Sequence, residues 1–236
     1  MNLYESISRR KSCRKYQGQP LSPERLEEIE KAIQGFTPLY PDVPLDHRLT
    51  QAVKGLFHVE APHYLIVSGR GNSGEAENTG FLFQQLVLWF DAHDIGSVWL
   101  GASKDAAAKR SGKDIIAIGF GPAAEPVHRT AGEFKRRPIE EITNAPEDEC
   151  VQAVHLAPSG MNTQPWYLEK QDGRVLVYKQ KLKAPVSLVY KHSDIDMGIG
   201  LCHYALACGQ TGKAFHFSRE TKLPAKGGYL PFGIIT

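Results

Sequence analysis

The stretch Leu156-Ala-Pro-Ser-Gly-Met-Asn-Thr-Gln-Pro-Trp166 follows neither helical nor strand periodicity. It comes after an amphipathic segment and before strand-like ones, so it reads as a helix-to-strand corner crowded with Pro158, Ser159, Gly160, Asn162, Gln164 and Pro165. Corners of that composition expose backbone amides and short polar side chains, which suit a flat polar ligand. The same residues also suit a packed turn with Trp166 as its plug. The corner alone does not separate the two.

Working outward, a helix from Pro146 through Cys150, Val151, Val154 and Leu156 leads into the corner. Tyr167-Leu168 and Val175 to Tyr178 follow as a hairpin around Asp172-Gly173, a pair that tolerates positive backbone angles. Asp194 to Cys208 is then an apolar helix, and Asn78 to Asp94 is another. The earlier one spreads Phe81, Leu82, Leu86, Leu88, Trp89 and Ala92 around most of its circumference, the mark of a central helix. Setting Gly198 beside Gly80 gives an offset of 118 positions (198 − 80), which also pairs Ile199 with Phe81, Leu201 with Phe83 and Leu206 with Leu88. The chain therefore reads as two related halves, 1–140 and 141–236, joined near Phe134 to Asn144 and folded as one unit.

The totals set the frame. With 236 residues, 42% of them apolar, the chain can bury a sizeable core. Its 28 basic and 26 acidic residues leave a formal charge of +2, which argues against a dedicated nucleic-acid binder. Cys13, Cys150, Cys202 and Cys208 form no C-x-x-C pair and sit in apolar or helical contexts, as buried thiols of a reducing compartment do. No run approaches the roughly 18 apolar residues of a membrane span, and the N-terminus lacks a signal-peptide core. The expectation is a cytoplasmic protein.

In the first half, Leu3 to Arg10 has helical spacing and runs into the basic cluster Arg9 to Lys15, followed by Tyr16. Such a cluster either complements a helix C-terminus or ligates phosphate through Arg forks and a Ser hydroxyl. Ser22-Pro23 caps a helix to Ile33. His47 to Phe57 could form a short helix. His63 to Ser68 is a strand, and Gly69-Arg-Gly-Asn-Ser-Gly74 matches the dinucleotide spacing G-x-G-x-x-G. Glu75 and Glu77 put negative charge where a pyrophosphate belongs, so this loop reads as a flexible connection. Gly96 to Gly101 and Ile115 to Gly119 are strands, the first bracketed by glycines that let backbone approach a ligand. Lys135-Arg136-Arg137 is a second basic cluster. The nine histidines lack metal-ligand spacing, and His58 and His63 read as surface residues.

Taken together, these pieces resemble the nitroreductase family of FMN-dependent oxidoreductases. Arg10-Lys-Ser12-Cys-Arg14-Lys-Tyr16 is similar to that family's R-x-S-x-[RK]-x-[FY] element, and the P-L-S-P-E-R-L helix follows it. Gly96-Ser-Val-Trp-Leu-Gly101 resembles its G-S-x-W-x-G strand, Ile118-Gly-Phe-Gly-Pro122 a later strand and turn, and Lys135-Arg-Arg137-Pro-Ile-Glu-Glu its closing basic motif. The family's A-P-S-x-x-N-x-Q-P-W corner usually follows the first long helix, whereas here it spans Ala157 to Trp166 in the second half. Ordinary members are homodimers that receive this corner from the partner. The displacement implies a fused, single-chain pseudo-dimer, monomeric rather than an obligate homodimer, with one FMN per chain.

The resemblance implies an α+β fold with central antiparallel or mixed sheets flanked by helices. It implies that Arg10, Ser12, Lys135 and Arg137 hold the FMN phosphate, that Lys11 also contacts the cofactor, that Arg14 lies near flavin N1 and O2, and that Ser97, Trp99, Leu100 and Gly101 approach the ring. Pro158, Ser159, Gly160, Asn162 and Gln164 would reach it from the second half. It implies NADPH or NADH as electron donor and nitroaromatics, quinones or similar planar acceptors as substrates. No side-chain nucleophile is required, because the flavin does the chemistry. A flavin-binding module without turnover and a structural relic of the fold are the competing classes.

Overall fold

The computed structural model describes residues 2–55, 59–101, 103–106 and 113–236. Two four-stranded antiparallel sheets flank a pair of long helices. The first sheet has the order β1-β3-β6-β4, formed by β1 (Asp46–Thr50), β3 (His63–Ser68), β6 (Asp114–Pro122) and β4 (Ile95–Leu100). β2 (Val53–Gly55) pairs separately with β5 (Ser103–Asp105). The second sheet has the order β7-β8-β10-β9, formed by β7 (Trp166–Gln171), β8 (Arg174–Gln180), β10 (Tyr229–Ile235) and β9 (Phe217–Arg219). Asp172 and Gly173 both take positive φ in the β7–β8 turn, as the Asp-Gly pair predicts.

The helices follow from local chemistry. α2 (Pro23–Gln34) starts at Ser22, whose hydroxyl accepts the Arg25 N–H, with Pro23 supplying a pre-set φ, and it buries Ile29 and Ile33. α1 (Leu3–Ile7), α4 (Glu149–His155) and α5 (Val186–Val189) are short. α3 (Glu75–Ala92) and α6 (Ser193–Gln210) are each 18 residues long and buried around most of their circumference. One continuous apolar core joins them to both sheets, from Leu65, Ile118 and Phe120 on one side to Trp166, Val177 and Phe232 on the other. No helix among the described residues is long and apolar enough to cross a membrane.

α3 and α6 cross at two glycines. A Cβ added at Gly80 would lie 2.0 Å from the Ile195 carbonyl oxygen and 2.9 Å from the Ile199 nitrogen. One added at Gly198 would lie 2.0 Å from the Glu77 carbonyl oxygen and 2.9 Å from the Phe81 nitrogen. The two contacts are reciprocal: 195 and 199 stand 118 positions from 77 and 81, the offset between the glycines themselves. A self-complementary contact of this kind is what a two-fold axis produces.

Three sequence expectations are corrected here. His47 to Gly55 is not helical but lies in β1 and β2, because Leu49 and Val53 alternate with polar neighbours and pair across strands; Leu56 and Phe57 lie outside the described residues. His63 is buried, stacks on Phe120 at 5.3 Å and accepts the Leu21 N–H at 2.8 Å, so it is no surface residue; His58 is outside the described residues. The Gly69 to Gly74 loop is closed on itself: the Glu75 carboxylate accepts the amides of Arg70, Gly71 and Asn72 at 2.7, 3.0 and 2.9 Å. Burial opposes its ionisation, but these donors and Lys113 outweigh it and hold Glu75 below the usual carboxylate range. The loop's own acid occupies the place of a phosphate.

Gly80→Ala and Gly198→Ala should each destabilise the protein by about 3 kcal/mol or more, since each new methyl meets backbone that cannot give way. Gly209→Ala, in the same helix with nothing near its added Cβ, should instead gain up to about 1 kcal/mol. Urea unfolding of the three variants measures the contrast, and equal effects would mean that the crossing is looser than described.

Candidate active site

A cavity of about 570 Å³ opens between the end of β4 and the Pro158 to Met161 corner, within the size range of small-molecule sites. Ser12 and Arg14 from the basic element, and Trp99, Leu100 and Gly101 at the end of β4, form its first-half wall. Pro158, Ser159, Gly160 and Met161 of the corner face them, and Tyr190, His192 and Asp196 close the second-half side. Ser12 reaches β4 through a parallel bridge to Ser97, which is itself buried behind the wall.

The Trp99 indole is fixed from behind. Its Nε1–H donates to Gln84 Oε1 at 3.2 Å, and the Gln84 amide donates to His203 Nε2 at 2.9 Å. His203 Nδ1 donates in turn to the Ala153 carbonyl at 2.9 Å. Burial drives this histidine down to about 3, so it is neutral and its tautomer is set by its two partners.

Beside the cavity wall lies a concentration of guanidinium groups. Arg10 is 3% exposed, and its side chain donates one hydrogen bond, to Ser12 Oγ at 3.4 Å. Burial, with Arg129 and Arg136 close by, pushes it down to about 9; Asp91 offsets part of this and Arg14 adds to it. Arg136 falls to about 10 through burial and Arg129. Arg129 is lowered by burial, Glu133 working against the shift and Arg14 with it, and its Nε is buried without a partner. Among the described residues none of Arg10, Arg14, Arg129 and Arg136 forms a salt bridge. Buried cations without counter-charges are costly unless an anion joins them.

The second basic cluster divides its labour. Lys135 is exposed at its side chain. Arg136 donates to the His155 and Leu156 carbonyls at the C-terminus of α4, both at 3.0 Å, and to Asn162 Oδ1 at 3.1 Å. Arg137 turns to Gln164 instead: its backbone N–H donates to Gln164 Oε1 at 3.0 Å, and its guanidinium bonds the Gln164 carbonyl and Gln180. Arg137, Asn162 and Gln164 thus lie outside the cavity lining and buttress the corner. Lys11 engages Val127 through its backbone and does not line the cavity.

Met161, Asn162 and Gln164 hold φ of 52°, 55° and 46°. Left-handed backbone at three non-glycine residues costs roughly 1–3 kcal/mol each and collects at functional sites. The corner is held in that shape by the Gln164 N–H on Ser159 Oγ at 2.9 Å and the Asn162 amide on the Lys135 carbonyl at 2.9 Å.

Sequence reasoning missed Tyr190, Asp196, Arg129 and Arg136. Asp196 is 2% exposed, and its carboxylate accepts the Gly160 N–H at 2.9 Å, the Tyr190 hydroxyl at 2.7 Å and the Thr163 hydroxyl at 3.3 Å. Burial pushes it up to about 7 against the pull of these donors, and Asp194 adds to the rise. In the sequence it is merely an acid in the first turn of a helix, a common dipole-complementing placement. The Tyr-Lys-His run before an apolar helix was the available signal.

The family model described as "Putative TM nitroreductase" matches residues 2–208. A solved structure from Thermotoga maritima, described as "a putative nitroreductase", superposes with a TM-score of 0.71 at 21% identity, covering 100% of this chain and 93% of that one. A nitroreductase family protein from Clostridium difficile is 19% identical with a TM-score of 0.48, covering 60% of this chain and 96% of its own. An FMN-dependent nitroreductase from the same species is 15% identical with a TM-score of 0.45, covering 55% and 93%. No curated protein matches.

Two outcomes test the geometry. Gln164→Leu removes the two hydrogen bonds of the buried side-chain amide, one from the Arg137 N–H and one to the Asn162 carbonyl, so it should cost about 2 kcal/mol or more in urea unfolding. Asp196 is protonated over a range where it would be ionised in the unfolded chain, so folding stability should fall as pH rises from about 4 through about 7 and then level off. Asp196→Asn, which cannot ionise, should lack that decline when thermal unfolding is followed across the same range.

Proposed function

The chain belongs to the nitroreductase family, and from that premise we propose that this oxidoreductase binds FMN, takes electrons from NADH or NADPH, and reduces quinones, nitroaromatics or similar planar acceptors. The observation that carries the reading is the group of arginines without acidic partners beside a cavity of ligand size. A phosphomonoester brings roughly two negative charges and three acceptor oxygens. Arg10 has one weak hydrogen bond to satisfy it, Arg129 Nε has none, and Ser12 stands between Arg10 and the cavity. The donor set fits the group.

On this reading Arg10, Ser12, Arg129 and Arg136 hold the phosphate. Trp99, Leu100 and Gly101 on one side and Pro158, Ser159 and Gly160 on the other hold the ring, while Arg14 places positive charge at the wall. Lys135 and Arg137 stand one step back, the first at the surface and the second under the corner. Bound FMN supplies hydride chemistry between a nicotinamide and an acceptor. The protein's part is to orient both and to keep the site's charge balanced. Because one chain supplies both walls, we read residues 1–140 and 141–236 as related halves that need no second copy to complete the site.

The purified protein should be yellow with a flavin spectrum, bleach anaerobically on addition of NADH or NADPH, and regain colour with a quinone. Protein that is colourless and takes up no added FMN would overturn the reading; yellow protein that never bleaches would leave a binding module. Arg10→Ala and Arg129→Ala should each weaken FMN binding by about 30-fold or more, against less than about threefold for Lys135→Ala, measured by fluorescence titration. An equal loss in Lys135→Ala would move that lysine into the phosphate site.

A further inference from the structure

Tyr190 and Asp196 form a hydrogen-bonded pair in the cavity wall, among Val189, Lys191, His192, Ile195 and Ile199. Tyr190 lies against the corner so closely that a Cβ at Gly160 would fall 2.2 Å from its hydroxyl oxygen. Its ring belongs to the cavity lining, and its hydroxyl reaches Asp196 at 2.7 Å. A carboxyl buried this deeply is ordinarily avoided or paired with a cation. This one has neither fate: its partners are a backbone amide and two hydroxyls. Arg14 and Lys191 line the same cavity, and Lys191 donates to the Ser187 carbonyl. Asp194, on the same helix, is ion-paired with Lys179 of β8, and His192 at the start of α6 is pushed down by burial and is neutral at pH 7.

We propose that the Tyr190 hydroxyl, backed by the Asp196 carboxyl, donates the proton that a planar acceptor needs when it is reduced in this cavity. The inference rests on the oxidoreductase reading above. A quinone that has gained a hydride, two electrons and one proton, carries negative charge on oxygen and needs one further proton to become the hydroquinone. With Asp196 protonated, its carboxyl O–H donates across the 2.7 Å contact in place of the phenol, the Tyr190 O–H turns to the acceptor, and that bond breaks as the product O–H forms. The phenolate oxygen takes a proton from Asp196 across the 2.7 Å contact, and solvent restores the carboxyl. A nitro acceptor balances in the same way, with hydride and proton giving the nitroso compound and water. The phenol cannot dissociate unaided near neutral pH, since burial and then Asp196 raise it well above its ordinary value. A carboxyl that keeps its proton to about 7 removes that obstacle. Tyr190 is the catalytic residue in this scheme, and Asp196, acting through it, is a positioning residue.

The experiment compares wild type, Tyr190→Phe and Asp196→Asn loaded with FMN. Anaerobic stopped flow follows reoxidation of the reduced protein by a benzoquinone, which takes up a proton, and by ferricyanide, which does not. Tyr190→Phe keeps the ring over Gly160, so it should fold and bind FMN normally. It should slow the quinone reaction by about 100-fold or more while leaving ferricyanide within about twofold. The wild-type quinone rate should fall as pH rises through about 7, and Asp196→Asn should be slow and lack that step. On cofactor-free protein, carbon-13 NMR of labelled aspartate should show one carboxyl titrating near 7, absent in Asp196→Asn. Equal slowing with both acceptors, or an unchanged quinone rate in Tyr190→Phe, would overturn the proposal and leave Asp196 as a latch between α6 and the corner. Wild-type protein that takes up no FMN would fail at the first spectrum, so loss of the underlying reading is told apart from loss of the proton donor.

Discussion

The close crossing of α3 and α6 is the constraint on which the rest depends. Gly80 and Gly198 bring two helix backbones into contact, and a side chain at either place would wedge them apart. That separation matters because each helix carries one side of the site's support: Gln84 on α3 steadies Trp99, and Asp196 on α6 holds Gly160. His203 of α6 bonds Gln84 of α3 directly, so the polar chain behind the cavity runs through the helix contact. Spreading the helices would lengthen the Gln84–His203 bond that spans them. Ile195 and Ile199, whose backbone meets Gly80, also line the cavity, so the crossing sets the position of that part of its wall.

Charge in this protein is distributed with a clear contrast. Where a cation serves only the fold, it finds a carboxylate: Arg9 meets Asp91 at 3.0 Å, and Arg48 meets Asp114 and Asp105 at 2.9 and 3.2 Å. Beside the cavity the pattern reverses, and Arg10, Arg129 and Arg136 rely on carbonyls, a serine hydroxyl and the Phe134 ring, over which Arg129 sits at 4.7 Å and Arg136 at 5.5 Å. Cation–π contact and carbonyl dipoles soften mutual repulsion without cancelling it. A dianion would cancel it. On the proposed reading, that uncompensated charge is the source of affinity for a phosphate group.

Much of this was legible in the sequence because it depends on local residue chemistry. The two apolar helices announce themselves by their burial pattern, the Asp-Gly turn by its backbone demand, and the corner by its composition. The offset between Gly80 and Gly198 survived into the helix crossing because glycine there answers to a steric need that no other residue meets. What escaped was set by tertiary placement. In Lys135-Arg136-Arg137 successive side chains point different ways, so a run of three like residues became a surface lysine, a clamp on α4 and a brace for Gln164. Asp196 resembled any acid in a first helical turn until Gly160, Thr163 and Tyr190 closed over it. His47 to Gly55 has polar and apolar residues that fit either period, and pairing with neighbouring strands decided the outcome.

The corner shows how the basic cluster also serves the site from behind, through Arg136, Arg137 and the Lys135 carbonyl. Three residues with positive φ within four positions would relax if left alone, since each is uphill by roughly 1–3 kcal/mol. Bonds that oppose this relaxation come from the Lys135 carbonyl, the Arg137 amide, the Ser159 hydroxyl and the guanidiniums of Arg136 and Arg137. Removing the strain by glycine substitution would save conformational energy but free the Pro158 to Met161 segment from its place in the wall. The bent backbone turns the Gly160 amide inward onto Asp196 and the Met161 side chain outward, 62% exposed at the cavity's edge. Strain, arginine bracing and the buried carboxyl are therefore one arrangement, in which the basic cluster holds the corner and the corner, through Gly160, helps hold Asp196 against Tyr190.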